Sequence, residues 1–167
     1  MSEASKPAIA TAVIVSEGRL LLARRRERED SILWVLPGGE IEPGEDAAEA
    51  AVREALEETG LTVEARQVLG TRIHPATGRE MHYVACDVVA GTASIGDADE
   101  LDAVEWVSIG QLGEFVPYGF FAPVQQHLDE LLAGGLATGA ADTASSTSGP
   151  GMAASPIYQP RDLGGIG

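Results

Sequence analysis

Apolar positions cluster in short runs along the first third of the chain. From Pro7 to Val15, and again from Arg19 to Ala23, Val, Ile, Leu and Ala dominate, and the polar "SEG" between them reads as a turn joining two strands. A third run, "ILWVL", is stopped by Pro37, which cannot donate to a strand ladder. The period then changes. Asp46 with Glu49 three residues on makes a capping box and Gly60 supplies a left-handed stop, so a helix is predicted over Asp46–Thr59. Strand-like runs return at Leu61–Leu69, Met81–Ala90 and Ala103–Val107, and a last amphipathic helix is predicted over Phe121–Ala133. Strands, helix, strands, helix is the order of an α/β protein with a mixed sheet between helices, not of a regularly alternating unit.

The 167 residues suffice for one domain with a real core, and 44% hydrophobic residues fit a folded globular chain. The domain is expected over residues 1–133. Residues 134–167 are rich in Gly, Ala, Ser and Thr and lack the apolar density for a core of their own. If that tail packs, Ile157, Tyr158 and Leu163 are the residues to hold it against a neighbouring subunit, which would make a homodimer. No apolar run approaches the roughly 20 residues of a membrane span, and the opening "MSEASKPAIA" has no basic flank with a long apolar block, so a cytoplasmic protein is expected. Cys86 is the single cysteine, on a predicted strand, and is read as a small apolar side chain.

A net charge of −15 disfavours long nucleic acid, which is bound through Lys and Arg contacts to phosphate. A small anionic ligand would need a local cationic site or a metal. The helix sharpens this. Glu54, Glu57 and Glu58 stand at i, i+3 and i+4 and share a face, with Ala48, Val52, Ala55 and Leu56 expected to pack on the sheet. At about 5–6 Å, two such charges repel by roughly 3 kcal/mol at an effective dielectric of about 20. Arg53 can partner Glu49 or Glu57 at helical spacing, but Glu54 and Glu58 have no such cation. A solvated acidic face is one outcome. The other follows from Gly38–Gly39 and Pro43–Gly44, which can loop the chain over the carboxylates and add a backbone carbonyl to a hard-cation site.

The spacing from Gly39 through Glu45, Arg53, Glu54, Glu57, Glu58 and Gly60 to Leu61 resembles the Nudix box, with Ala55 where a bulkier aliphatic residue is usual. The resemblance implies a Nudix-type α/β/α sandwich and a MutT-like, Mg²⁺- or Mn²⁺-dependent hydrolase of phosphoanhydride bonds. It implies Glu57, Glu58 and the Gly38 carbonyl as metal ligands, Glu54 as a further ligand or the group that positions water, Arg53 as their orienting partner, and Glu45 as a structural tie. By similarity to MutT-type enzymes, Glu100 ahead of Trp106 is a candidate general base, with solvated loop charge as its alternative, and Glu105 is a weaker candidate. Arg25, in "ARRRERED", aligns with a phosphate-contacting arginine; Arg24, Arg26 and Arg28 are read as a solubilising loop. Trp34 either stacks on a base or is a buried strand aromatic.

His74, His82 and His127 lack a zinc-ligand spacing. Small members of the family are often nucleoside triphosphate pyrophosphohydrolases, some acting on oxidised guanine nucleotides. Where those place a base-reading asparagine, this chain has Phe120 and Phe121; Phe121 can stack but cannot read polar base atoms. Pro75 loosely fits the pattern of members that cleave ADP-ribose or nucleotide sugars. A nucleotide-sensing module without turnover would be expected to have lost a box glutamate, and none is lost.

Overall fold

The computed structural model describes residues 6–29, 32–75 and 77–138. The segment holding Ile157, Tyr158 and Leu163 lies outside them. Among the described residues the strands are β1 (Ile9–Ser16), β2 (Arg19–Glu29), β3 (Ile32–Val35), β4 (Gly38–Glu40), β5 (Thr62–Ile73), β6 (Glu80–Ala90) and β7 (Leu101–Ser108), with helices α1 (Ala47–Thr59), α2 (Leu112–Phe115) and α3 (Ala122–Thr138). The main path of the sheet runs β3-β2-β1-β6-β5, with β4 on β1 and β7 on β2. β1 and β6 run parallel and the other pairs antiparallel, so the sheet is mixed as expected.

Strand alternation makes this sheet two-sided. In β1, Ile9 and Val13 point to one core and Ala10, Ala12 and Ile14 to the other; β2 divides Leu20 and Leu22 from Leu21 in the same way. The first core is closed by Leu112 of α2 and by Val124 and Leu128 of α3. The second is closed by Ala50, Ala51 and Ala55 of α1. Two helical layers over opposite faces make an α/β/α sandwich. Full burial of Val124 and Leu128 contributes about 1.5–3 kcal/mol each.

The capping box is present in full: Asp46 accepts the Glu49 amide at 2.8 Å and the Glu49 carboxylate accepts the Asp46 amide at 3.0 Å. Gly60 stops α1 in the left-handed conformation at φ 76°. The packed face of α1 matches expectation at Ala55 and Val52 but not at Leu56. Leu56 is 53% exposed, while Ala50, Ala51, Ala55 and Glu58 are buried. The helix is rotated so that its Glu58 edge turns toward the sheet, and the small Ala55 lets it lie close.

Three further differences follow from local geometry. The arginine-rich segment is not a loop, since β2 continues through it to Glu29. β4 was not expected, because two of its three residues are glycine and carry no side-chain pattern. α3 continues past Ala133 through Gly134 to Thr138.

Candidate active site

The double glycine matters for space, not for unusual backbone angles. Neither Gly38 nor Gly39 has positive φ. A Cβ on Gly38 would collide with the Ala10 carbonyl and lie 2.9 Å from Thr11 Cα, and one on Gly39 would overlap the Glu54 carboxylate. β4 can therefore lie against β1 only with glycine at 38, and against the Glu54 carboxylate undisturbed only with glycine at 39. Gly44, at φ 88°, turns the chain between β4 and α1.

Arg53 binds this junction together. Its Nε donates to Glu45 Oε2 at 2.6 Å and its Nη2 to Glu45 Oε1 at 2.9 Å, a forked pair, while Nη2 also donates to the Glu40 carbonyl at 3.0 Å. Nη1 reaches Glu54 at 3.0 Å and Glu57 at 3.3 Å. Glu54 thus does have a cation, supplied by its immediate neighbour, which spacing rules for helices do not anticipate. Glu49, the other expected partner of Arg53, is occupied in the capping box. The Glu45 carboxylate also accepts the Glu42 amide at 2.9 Å, and Arg53 together with that bond holds its pKa down at about 2.

The opposite shift marks Glu58 and Glu54. Glu58 is 8% exposed and accepts the Gly38 amide at 3.2 Å. Burial raises its pKa to about 8, and the charges of Glu54, Glu100 and Asp97 push the same way. Burial raises Glu54 too, against the pull of Arg53. Glu57 is the exposed member, its side chain 57% accessible.

These groups face one cavity of about 640 Å³, which Arg25, Trp34, Gly38, Glu100 and Phe121 also line. Arg25, Trp34, Gly38, Glu54, Glu57, Glu58, Glu100 and Phe121 are thus brought to one cavity, while Arg53 does not line it and reaches it only through Glu54 and Glu57. Glu105 is not brought there; it sits exposed on β7 opposite Leu22. Arg25 reaches the cavity at a bulge in the β2–β7 ladder, where it pairs with Leu101. Its neighbours are structural: Arg24 Nε donates to Asp102 at 2.6 Å with its guanidinium 5.5 Å from the Trp34 ring, and Arg26 Nε donates to the Ala98 carbonyl at 2.9 Å. The Arg28 side chain lies outside the described residues. Trp34 is half-buried, edge-on to Phe115 at 5.2 Å, and still on the cavity wall.

Asp97 is a site residue that sequence reasoning missed. The segment before it docks on the end of α1, where the Ser94 and Gly96 amides donate to the Thr59 and Glu58 carbonyls at 2.8 Å each. A Cβ on Gly96 would collide with the Glu57 carbonyl. This glycine contact sets Asp97 on the cavity beside Glu58, and the turn it opens carries Glu100. His74, 2% exposed, also lines the cavity, whereas His82 lies 3.5 Å from Glu80 and burial lowers the pKa of His127. Cys86 is buried, with its pKa pushed up to about 12, as an inert strand side chain would be.

Among the described residues no three acidic, His or Cys groups are already drawn into a metal-ligand cluster; Glu57 is turned to Arg53. The donor set nonetheless fits a hard cation. It is all oxygen, and Glu58 is desolvated among like charges with one amide to offset the cost.

The family profile described as NUDIX domain matches residues 5–130. The chain belongs to the Nudix family and is a hydrolase of phosphoanhydride bonds. It is 38% identical over 104 residues to a Bacillus subtilis protein named, provisionally, an 8-oxo-dGTP diphosphatase, a match covering 62% of this chain and 68% of that one. It is 34% identical over 96 residues to the ADP-ribose pyrophosphatase of Methanocaldococcus jannaschii, covering 54% of this chain and 57% of that one. The crystal structure of a MutT Nudix hydrolase from Burkholderia pseudomallei superposes with a TM-score of 0.58 at 25% identity, over 77% of this chain and 99% of that one. No helix among the described residues is long and apolar enough to cross a membrane.

Proposed function

We propose that the protein is a MutT-like nucleoside triphosphate pyrophosphohydrolase that works with Mg²⁺ or Mn²⁺. The observation that carries this reading is the buried, like-charged Glu58 beside Glu54, on the same cavity wall as Arg25. Glu54, Glu57 and Glu58, with the Gly38 carbonyl, would hold the cation. When bound it neutralises charge gathering on phosphoryl oxygens and lowers the pKa of a coordinated water.

The chain's own residues do the rest. Arg25 binds a phosphate oxygen through its forked donors. Arg53 fixes the orientation of Glu54 and Glu57 through contacts of 3.0 and 3.3 Å. Glu100, exposed at the cavity, takes the proton from the attacking water; Glu54 is the second candidate for that role. Trp34 and Phe121 contribute apolar wall to the nucleoside. Asp97 adds negative charge beside Glu58 and so raises the site's demand for a cation.

ADP-ribose or a nucleotide sugar is the second reading, favoured by the Methanocaldococcus relative and by Pro75 directly after cavity-lining His74. Incubation with Mg²⁺ and a panel of nucleoside triphosphates, ADP-ribose and nucleotide sugars, with products weighed by mass spectrometry, separates the readings. Nucleoside monophosphate and pyrophosphate are expected from triphosphates. Ligand binding without any turnover would instead mark a sensing module. The same activity is measured with residues 134–167 removed and with subunit mass recorded, which tests the proposed homodimer through the tail. A small-molecule phosphoanhydride, not a long nucleic acid, is the partner this acidic chain can take.

A further inference from the structure

The same cavity has a second wall of different chemistry, built from the β5–β6 hairpin and the start of α3. Across the sheet, Gly70 of β5, Tyr83 of β6, Thr11 of β1 and Gly38 of β4 lie in one row, and Arg72, Met81, Ile9 and Glu40 in the next. Three strand spacings of about 4.8 Å each place Arg72 roughly 14 Å from the β4 end of its row. That is the scale of a nucleoside carrying its phosphates.

Arg72 is held in a fixed pose. Its guanidinium lies 5.0 Å from the Phe121 ring and 5.8 Å from the Tyr83 ring, and its Nε donates to the Tyr83 hydroxyl at 3.3 Å. The two rings pack at 5.0 Å. Gly70 makes room for this stack: a Cβ there would come within 3.1 Å of both Phe121 and Pro123. Phe121 is thus in contact with both Tyr83 and the Arg72 guanidinium. Beside it, His74 Nδ1 accepts the Thr77 amide at 3.2 Å, so the neutral ring carries its hydrogen on Nε2. Both heads at this wall, guanidinium and imidazole N–H, are hydrogen-bond donors.

Building on the nucleotide hydrolase reading, we propose that Arg72, held against the packed Tyr83 and Phe121 rings, is a specificity-determining residue that selects 6-oxopurine nucleotides over adenine nucleotides. A guanidinium can only donate, and its fork matches the O6 and N7 acceptor pair of guanine. Adenine offers N7 but turns an amino donor toward the same fork. Inosine keeps O6 and N7, so an arginine reading this edge does not distinguish it from guanine.

The test is the kcat/KM of GTP, ITP and ATP with Mg²⁺ for wild type, Arg72→Met and Arg72→Lys, each checked for fold by circular dichroism. Wild type is expected to favour both GTP and ITP over ATP by about 10- to 100-fold. Arg72→Met, which keeps the apolar stem, is expected to bring the ratio close to one, and Arg72→Lys to restore little of it because a point charge lacks the fork. Equal use of ATP and GTP by wild type overturns the proposal, as does a folded Arg72→Met with the wild-type ratio. Full rescue by lysine also overturns it, since that outcome means an anionic group is being bound. Calorimetric binding of non-cleavable α,β-methylene analogues of GTP and ATP gives the same ratio without turnover. A guanine preference in binding with no hydrolysis would refute the hydrolase reading and leave this one standing.

Discussion

Gly39 lies so close to Glu54 that any Cβ at position 39 would overlap the Glu54 carboxylate. The loop and the acidic helix are therefore joined where a side chain at position 39 would push that carboxylate aside. Gly39→Ala is expected to displace Glu54 and lower kcat by about 100-fold or more, since misplacement on the order of 1 Å costs that much. Steady-state kinetics checks it; a near wild-type kcat would mean that Glu54 can move without consequence.

The Arg53 fork to Glu45 supports the same junction from the other side. Arg53→Lys keeps the charge but cannot bridge Glu45, Glu54 and the Glu40 carbonyl together. Loss of such an orienting partner is expected to cost about 10- to 100-fold in kcat or metal affinity. Metal titrations followed by activity would reveal it.

Stability of the metal-free protein should depend on pH with an unusual sign. Glu58 holds its proton to about 8 in the fold, against an ordinary 4.5. Between those values unfolding releases a proton, so stability falls as pH rises from 4.5 through 8, and the raised Glu54 adds to the trend. Glu45 acts oppositely: with its pKa at about 2, its stabilising contribution is present above 4.5 and lost as pH falls toward 2. Melting temperatures in a chelator at pH 5 and pH 8 are expected to be higher at pH 5, and Glu58→Gln is expected to shrink that difference. A higher melting temperature at pH 8 would contradict it.

Glu100→Gln separates the two candidates for the base. Removal of a general base costs about 100- to 10,000-fold, so a drop of that size in kcat, with metal affinity nearly kept, is expected for Glu100. An unchanged rate would move the role to Glu54.

Much of this was legible in the sequence, and the parts that were not have physical causes. The capping box, Gly60 stop and carboxylate spacing of α1 are local and were readable. The rotation of the helix was not, because Leu56 is the more apolar residue yet burial is decided by how closely Ala55 and the glycines allow α1 to approach. β4 has no side-chain alternation to read. Asp97 depends on a Gly96 contact with the Glu57 carbonyl, and the Arg72 stack on a hairpin whose register shifts at bulges between Ala65 and Gln67 and between Val68 and Gly70. Such long-range contacts leave no periodic trace.

The central claim is that the acidic edge of α1 holds a divalent cation on which hydrolysis depends. Calorimetric titration of Mg²⁺ into wild type, Glu57→Gln and Glu58→Gln, paired with pyrophosphate release from nucleoside triphosphates, tests it most directly. The account predicts cation binding and turnover by wild type, with both lost by orders of magnitude in folded variants. Wild-type cation binding and turnover in both variants would contradict it.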